Sequence, residues 1–212
     1  MFLDLKFQVH RSLSDQIRED CESRLNIRIH PRWFRLGNVA PDLSWQRLRL
    51  HEQCSAGPLV RRRIVRFCRR PVGGCAPEGA VLSRRSSLLL GIIMHYLCDF
   101  NCYVHTDRFD GDLKTHRAYE SAQSVYADRQ RPRDIAGLSG AASGRELALR
   151  LEQALRDRTD DSFSPAADLD YARAMGAAAC YEMLRLSLAE NRPRLLYRLP
   201  LIRWLRLRRA LG

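Results

Sequence analysis

The chain has 212 residues and a formal net charge of +12 at neutral pH, carried almost wholly by arginine, since Lys6 and Lys114 are the only lysines. That length suits one domain, and 45% hydrophobic residues can build a sizeable core. No window approaches the roughly 18 apolar residues of a membrane-spanning helix. Seven cysteines, an odd number in a chain without the small scaffold of a disulfide-dense protein, fit reduced thiols.

The basic balance invites nucleic acid or an anionic membrane as partner and makes a purely cationic ligand uncomfortable. Arginine-favouring codon usage explains it equally, so charge alone settles no partner.

In chain order, Phe7 to about Arg28 has apolar residues at mostly helical spacing, among them Leu13, Ile17, Cys21 and Leu25, with Asp15, Glu19 and Glu22 on the wet side. This predicts a first helix carrying His10. A break follows at IRIHPRW, where Pro31 disfavours helix for His30. GNVAPDLS, with Gly37, Asn38, Pro41 and Asp42, predicts a turn-rich loop. Leu59 to Arg69 predicts a short basic helix, and Arg70 to Gly79 a loop.

Ser83 to about Phe100 contains LLLGIIMHYLCDF and predicts the central buried helix, capped by Ser83 or Ser86. Asp112 to about Arg129 predicts an amphipathic helix with Asp112 as its cap. Arg131 to Gly144 reads as a connection, and Gly144 to Arg156 and Pro165 to Ala189 as two further helices. Pro193 to Leu211 predicts a basic amphipathic tail, with seven arginines between Asn191 and Gly212. No period-2 run is long enough to argue for a sheet. The expectation is an all-α, single-domain multi-helix bundle over residues 1–190, followed by a basic amphipathic C-terminal helix or tail over 191–212. The N-terminus lacks the pattern of a secretory signal. The chain is therefore expected in the cytoplasm, at most peripheral to the membrane.

Residues 95 to 120 read HYLCDFNCYVHTDRFDGDLKTHRAYE and hold three of the six histidines. Residues four apart on a helix share a face, so His95 pairs with Asp99, and His116 with Glu120. His105 lies at the exit of the first helix. An uncompensated carboxylate at Asp99, in so apolar a run, would cost several kcal/mol. A divalent cation would offset that cost, and imidazole with carboxylate is a zinc donor set. The competing reading is a buried His–Asp hydrogen bond beside a surface His–Glu pair. Upstream, Asp42, His51 and His10 are further candidates. Cys98 and Cys102, four apart on the same predicted helix, read as buried thiols. Asp107, Asp110 and Asp112 read as a solvated turn.

GNVAPDLSWQRLRLHEQ, GIIMHYLCDFNCYVHT and HRAYE together resemble the bacterial zinc-dependent phospholipase C family. That family shares its fold with single-strand-specific zinc nucleases of fungi and plants. The resemblance covers roughly residues 7 to 126. It implies an all-helical domain of that type holding a zinc cluster. One zinc is implied on Asp42, His51, His95 and Asp99, and a second on His105, His116 and Glu120. A third is implied at His10, with Asp99 bridging and the amino-terminal residue completing it. Here Met1 stands nine residues before His10, closer than the family's usual separation. Two or three zinc ions per chain are therefore expected.

The chemistry implied is phosphodiester hydrolysis by a metal-activated water, with Asp42 as ligand and as the group that orients or deprotonates the water. The first expectation is cleavage of a phospholipid between glycerol and phosphate, with the basic tail resting on an anionic membrane. The alternatives are a nuclease acting on single-stranded nucleic acid, with Trp33, Phe34 and Trp45 as stacking aromatics, and a non-catalytic metal-binding protein at the membrane. Oligomeric state is not legible in the sequence.

Overall fold

The computed structural model describes residues 2–43, 53–70, 75–76, 79–127, 137–158 and 163–210, with backbone alone at 2–6, 53–54, 75–76 and from 190 onward. Seven α-helices stand in the described residues: α1 (Phe2–Leu25), α2 (Pro31–Val39), α3 (Gln53–Cys68), α4 (Arg84–Asp99), α5 (Leu113–Ser124), α6 (Gly144–Arg156) and α7 (Pro165–Ala210). The described residues are predominantly helical, the expected all-α bundle. A short 3-10 helix, Tyr103–His105, follows α4.

A small sheet departs from the all-helical expectation. β1 (Ile27–Arg28) pairs in parallel with β3 (Gly79–Val81), and β2 (Cys75–Ala76) lies antiparallel on the other side of β3. Two- and three-residue strands are too short to show a period of two. Their register, Ile27 opposite Ala80, ties the end of α1 to the approach to α4.

α4 is the axis of the core. Leu90, Ile93, Met94, Tyr96 and Leu97 along it are essentially inaccessible to solvent, and α2, α3 and α7 pack around them. Its start follows from Ser83, whose hydroxyl accepts the Ser86 amide N–H. Asp112 caps α5 in the same way, accepting from the Thr115 amide. Ser143 caps α6 through Glu146.

Several boundaries differ from expectation, and α5 ends at Ser124 rather than near Arg129. α1 begins five residues earlier, at Phe2. α3 begins at Gln53 and absorbs Pro58 inside the helix, at the loss of one backbone hydrogen bond. Gly37, Asn38 and Val39 complete α2 instead of opening a loop. There the Asn38 side chain donates to the Phe34 carbonyl at 3.2 Å, and Gly37 serves packing rather than turning. α7, expected to end near Ala189, runs on without a break through Pro193 to Ala210. No helix among the described residues is long and apolar enough to cross a membrane.

Candidate metal centre

The crossing of α2 over α4 builds the site. Gly37 and Gly91 meet there, and a Cβ on Gly37 would stand 2.9 Å from the Gly91 Cα. Two hydrogens in place of side chains let the backbones touch. One helical turn beyond Gly91, His95 therefore reaches the end of α2, and its Nδ1 lies 2.8 Å from the Asn38 carbonyl oxygen. A carbonyl can only accept, so Nδ1 carries a proton and Nε2 is turned inward. Asp42 follows in the turn after α2, its amide donating to the Val39 carbonyl at 3.1 Å.

Nε2 of His95 lies 3.1 Å from Asp99 Oδ2 and 3.8 Å from Asp42 Oδ1. From α1, His10 brings Nε2 to 3.4 Å from Asp99 Oδ1 and 3.9 Å from Asp42 Oδ2. The two imidazoles stack with centroids 4.3 Å apart. His10, His95 and Asp99 are all buried. Burial, then the neighbouring His95, lowers the His10 pKa against the pull of Asp99. A neutral imidazole, the form that ligates, is favoured there. His51, the remaining upstream candidate, lies outside the described residues.

A second, more open cluster forms where the 3-10 helix meets α5. His105 Nε2 and His116 Nε2 each lie 3.3 Å from Oε1 of Glu120. Their rings meet edge to face at 4.9 Å. A cavity of about 20 Å³, room for about one water, is walled by members of both clusters, including His10, Asp99, His105 and Glu120.

The spacing of the donors is one that a bound metal ion can bridge. A charge-assisted N–H···O bond closes to about 2.7–2.9 Å. Donors bound to one tetrahedral zinc at about 2.0–2.1 Å stand about 3.3 Å from each other. The six separations here run from 3.1 to 3.9 Å and bracket the second value. His10, Asp42 and His95 form one group able to hold an ion, and His105, His116 and Glu120 another. Nδ1 of His10 is buried with no hydrogen-bond partner among the described residues. A nitrogen and oxygen donor set at this spacing fits zinc.

One support lies outside the recognisable motifs. Asp168 on α7, 1% exposed, accepts the Tyr103 amide and the Tyr119 hydroxyl on one oxygen, both at 2.8 Å. Its other oxygen takes Arg158 at 2.6 Å. Tyr103 opens the 3-10 helix that ends on His105, and Tyr119 precedes Glu120. The carboxylate thus clamps together the two elements that carry the second cluster. Burial raises the Asp168 pKa, and burial with the Asp168 charge raises that of Tyr119, keeping the phenol a donor. No spacing rule in the sequence links residue 168 to residues 103 and 119.

Other expectations are corrected. Cys98 and Cys102 do not share a helix: α4 ends at Asp99, and Cys102 caps the 3-10 turn. Phe34 is fully buried and Trp33 half-buried, so Phe34 offers no stacking surface; Trp45 lies outside the described residues. Asp107 and Asp110 are exposed, as a solvated turn requires.

Neither the curated proteins nor the solved structures include a match to this chain. A family model does match: that of the zinc-dependent phospholipases C, over residues 8–171, which takes in every described ligand candidate and Asp168. The chain belongs to the zinc-dependent phospholipase C family.

Proposed function

We propose that the chain is a zinc-dependent hydrolase that cuts phospholipids at the bond between glycerol and phosphate. The observation that carries this is the convergence of His10, Asp42, His95 and Asp99 beside a second cluster of His105, His116 and Glu120, at the donor spacing of bound zinc. Bound there, zinc ions supply Lewis-acid polarisation of the phosphoryl oxygens and acidify water.

The chain's own groups do the rest. The Asn38 carbonyl holds the His95 tautomer, and the shared carboxylate of Asp99 fixes His10 and His95 relative to each other. Asp42 faces both histidines from a turn and is the carboxylate that orients the attacking water and takes its proton. Water adds to phosphorus, the bond to the glycerol oxygen breaks, and that oxygen leaves protonated as diacylglycerol.

The surface favours an anionic lipid face. A groove of about 1150 Å³ between α3 and α6 is lined by Arg61, Arg62, Arg66, Arg69 and Arg145, with Leu59 and Leu149 among them. Among the described residues, Arg62, Arg66, Arg69 and Arg145 have no carboxylate partner, whereas Arg61 is bound to Glu152. Guanidinium forks match phosphate oxygens. The groove has no aromatic lining on which bases would stack. The basic end of α7 adds sequence of the same character. Among the described residues Cys21, Cys68, Cys98, Cys102 and Cys180 form no disulfide, in keeping with a reducing, cytoplasmic setting.

Zinc-loaded protein assayed in parallel on anionic vesicles, phosphatidylcholine vesicles and single-stranded DNA tests the reading. Diacylglycerol release, faster from anionic vesicles and slowed by salt, is expected. DNA cleavage without lipid cleavage would assign the nuclease alternative, and zinc binding with neither activity the non-catalytic one.

A further inference from the structure

Asp99 turns its two oxygens to different histidines: Oδ1 lies 3.4 Å from His10 and Oδ2 3.1 Å from His95. A carboxylate so divided serves two neighbouring metal positions. The position beside His95 has Asp42 as a further donor. The position beside His10 has Asp99 Oδ1 at 3.4 Å and Asp42 Oδ2 at 3.9 Å, which with His10 is one donor short of the four that zinc takes.

Cys98 supplies one. It stands one residue before Asp99 on α4, about 100° around the helix, and packs against the cluster of Val9 and Leu13 on α1, the helix that carries His10. His10, Cys98 and Asp99 each offer a ligand atom, all within 4.8 Å of one another. The three also wall the cavity of about 20 Å³. His10 is 3% exposed, and its Nδ1 has no hydrogen-bond partner among the described residues. Cys102, the other thiol at that cavity, belongs to no such group among the described residues.

We propose that Cys98 is a metal ligand, its thiolate completing with His10 and Asp99 a metal position separate from the one at His95. This rests on the metal-centre reading above and adds a sulfur donor to it. Zinc accepts such a mixed set, with sulfur at about 2.3 Å and nitrogen or oxygen at about 2.0–2.2 Å.

Cobalt(II) tests this, because it enters zinc sites and gives a near-ultraviolet charge-transfer band only when bound to thiolate. Metal-depleted protein titrated with cobalt should develop that band. Cys98→Ser should abolish it and lower the bound cobalt by one ion per chain, while Cys102→Ser keeps both. X-ray absorption on zinc-loaded wild type needs no substitution: a sulfur shell at about 2.3 Å supports the assignment. Cobalt bound without the band, a band that survives Cys98→Ser, or a zinc shell of nitrogen and oxygen alone would each overturn the role of Cys98. Failure of wild type to bind any cobalt would overturn the metal centre itself.

Discussion

Gly91 on α4 faces Gly37 on α2 so closely that a Cβ on Gly91 would stand 3.0 Å from the Gly37 Cα and collide with the Phe34 carbonyl oxygen. This contact sets how near Asp42 comes to His95. Gly91→Ala must push α2 outward, and overpacking of this kind costs about 1–3 kcal/mol. Thermal unfolding should show the loss. Metal analysis should show weaker retention of the ion facing Asp42, with the ion at His116 unaffected. An alanine variant of wild-type stability and full metal content would show that the close approach is not required.

The two clusters are separable. His116→Ala or Glu120→Ala removes donors from the open cluster and leaves His10, Asp42, His95 and Asp99 in place. Each variant should lose one zinc and keep the remainder. His95→Ala should instead empty the buried pocket and cost stability as well, because the residue is fully buried. Native mass spectrometry distinguishes these outcomes; loss of all metal on Glu120→Ala would mean that the centre binds as one cooperative unit.

Asp168→Asn removes the charge that holds Arg158, Tyr103 and Tyr119. Both Asp168 and Arg158 are buried, so leaving Arg158 without its carboxylate should cost about 3–5 kcal/mol, read from denaturant unfolding. The zinc at His105 should also bind more weakly, since its 3-10 helix loses its anchor. Asp168→Asn with unchanged zinc affinity would confine the residue to stability alone.

Tyr119 gives a pH test. Burial and the Asp168 charge raise its pKa above the ordinary 10.0. The folded state therefore keeps a proton that the unfolded chain gives up. That contribution to stability is complete below pH 10 and is lost as the pH rises above it. Tyr119→Phe should flatten the fall in unfolding free energy on the alkaline side. An equally steep fall in the variant would assign it to other groups.

Much of this was legible in the sequence because it depends on local spacing. The i, i+4 rule places His95 with Asp99 and His116 with Glu120, and both pairs face one way in the structure. Ser83 and Asp112 cap their helices as short polar residues do. What was not legible depends on distant contacts. Gly37 reads as a turn glycine until α4 is laid against it. Asp168 has no motif, and its importance comes from a clamp across 65 residues of chain to Tyr103. Cys98 reads as a core thiol because its neighbours in sequence are apolar, whereas in space it also faces His10 and Asp99. The short strands carry too few residues for any period to register.

The most direct measurement is the zinc content of the purified chain by inductively coupled plasma mass spectrometry, after expression with ample zinc. The two clusters predict at least two zinc ions per chain, removed by chelation and restored by added zinc. A metal-replete preparation that contains no zinc would contradict the account.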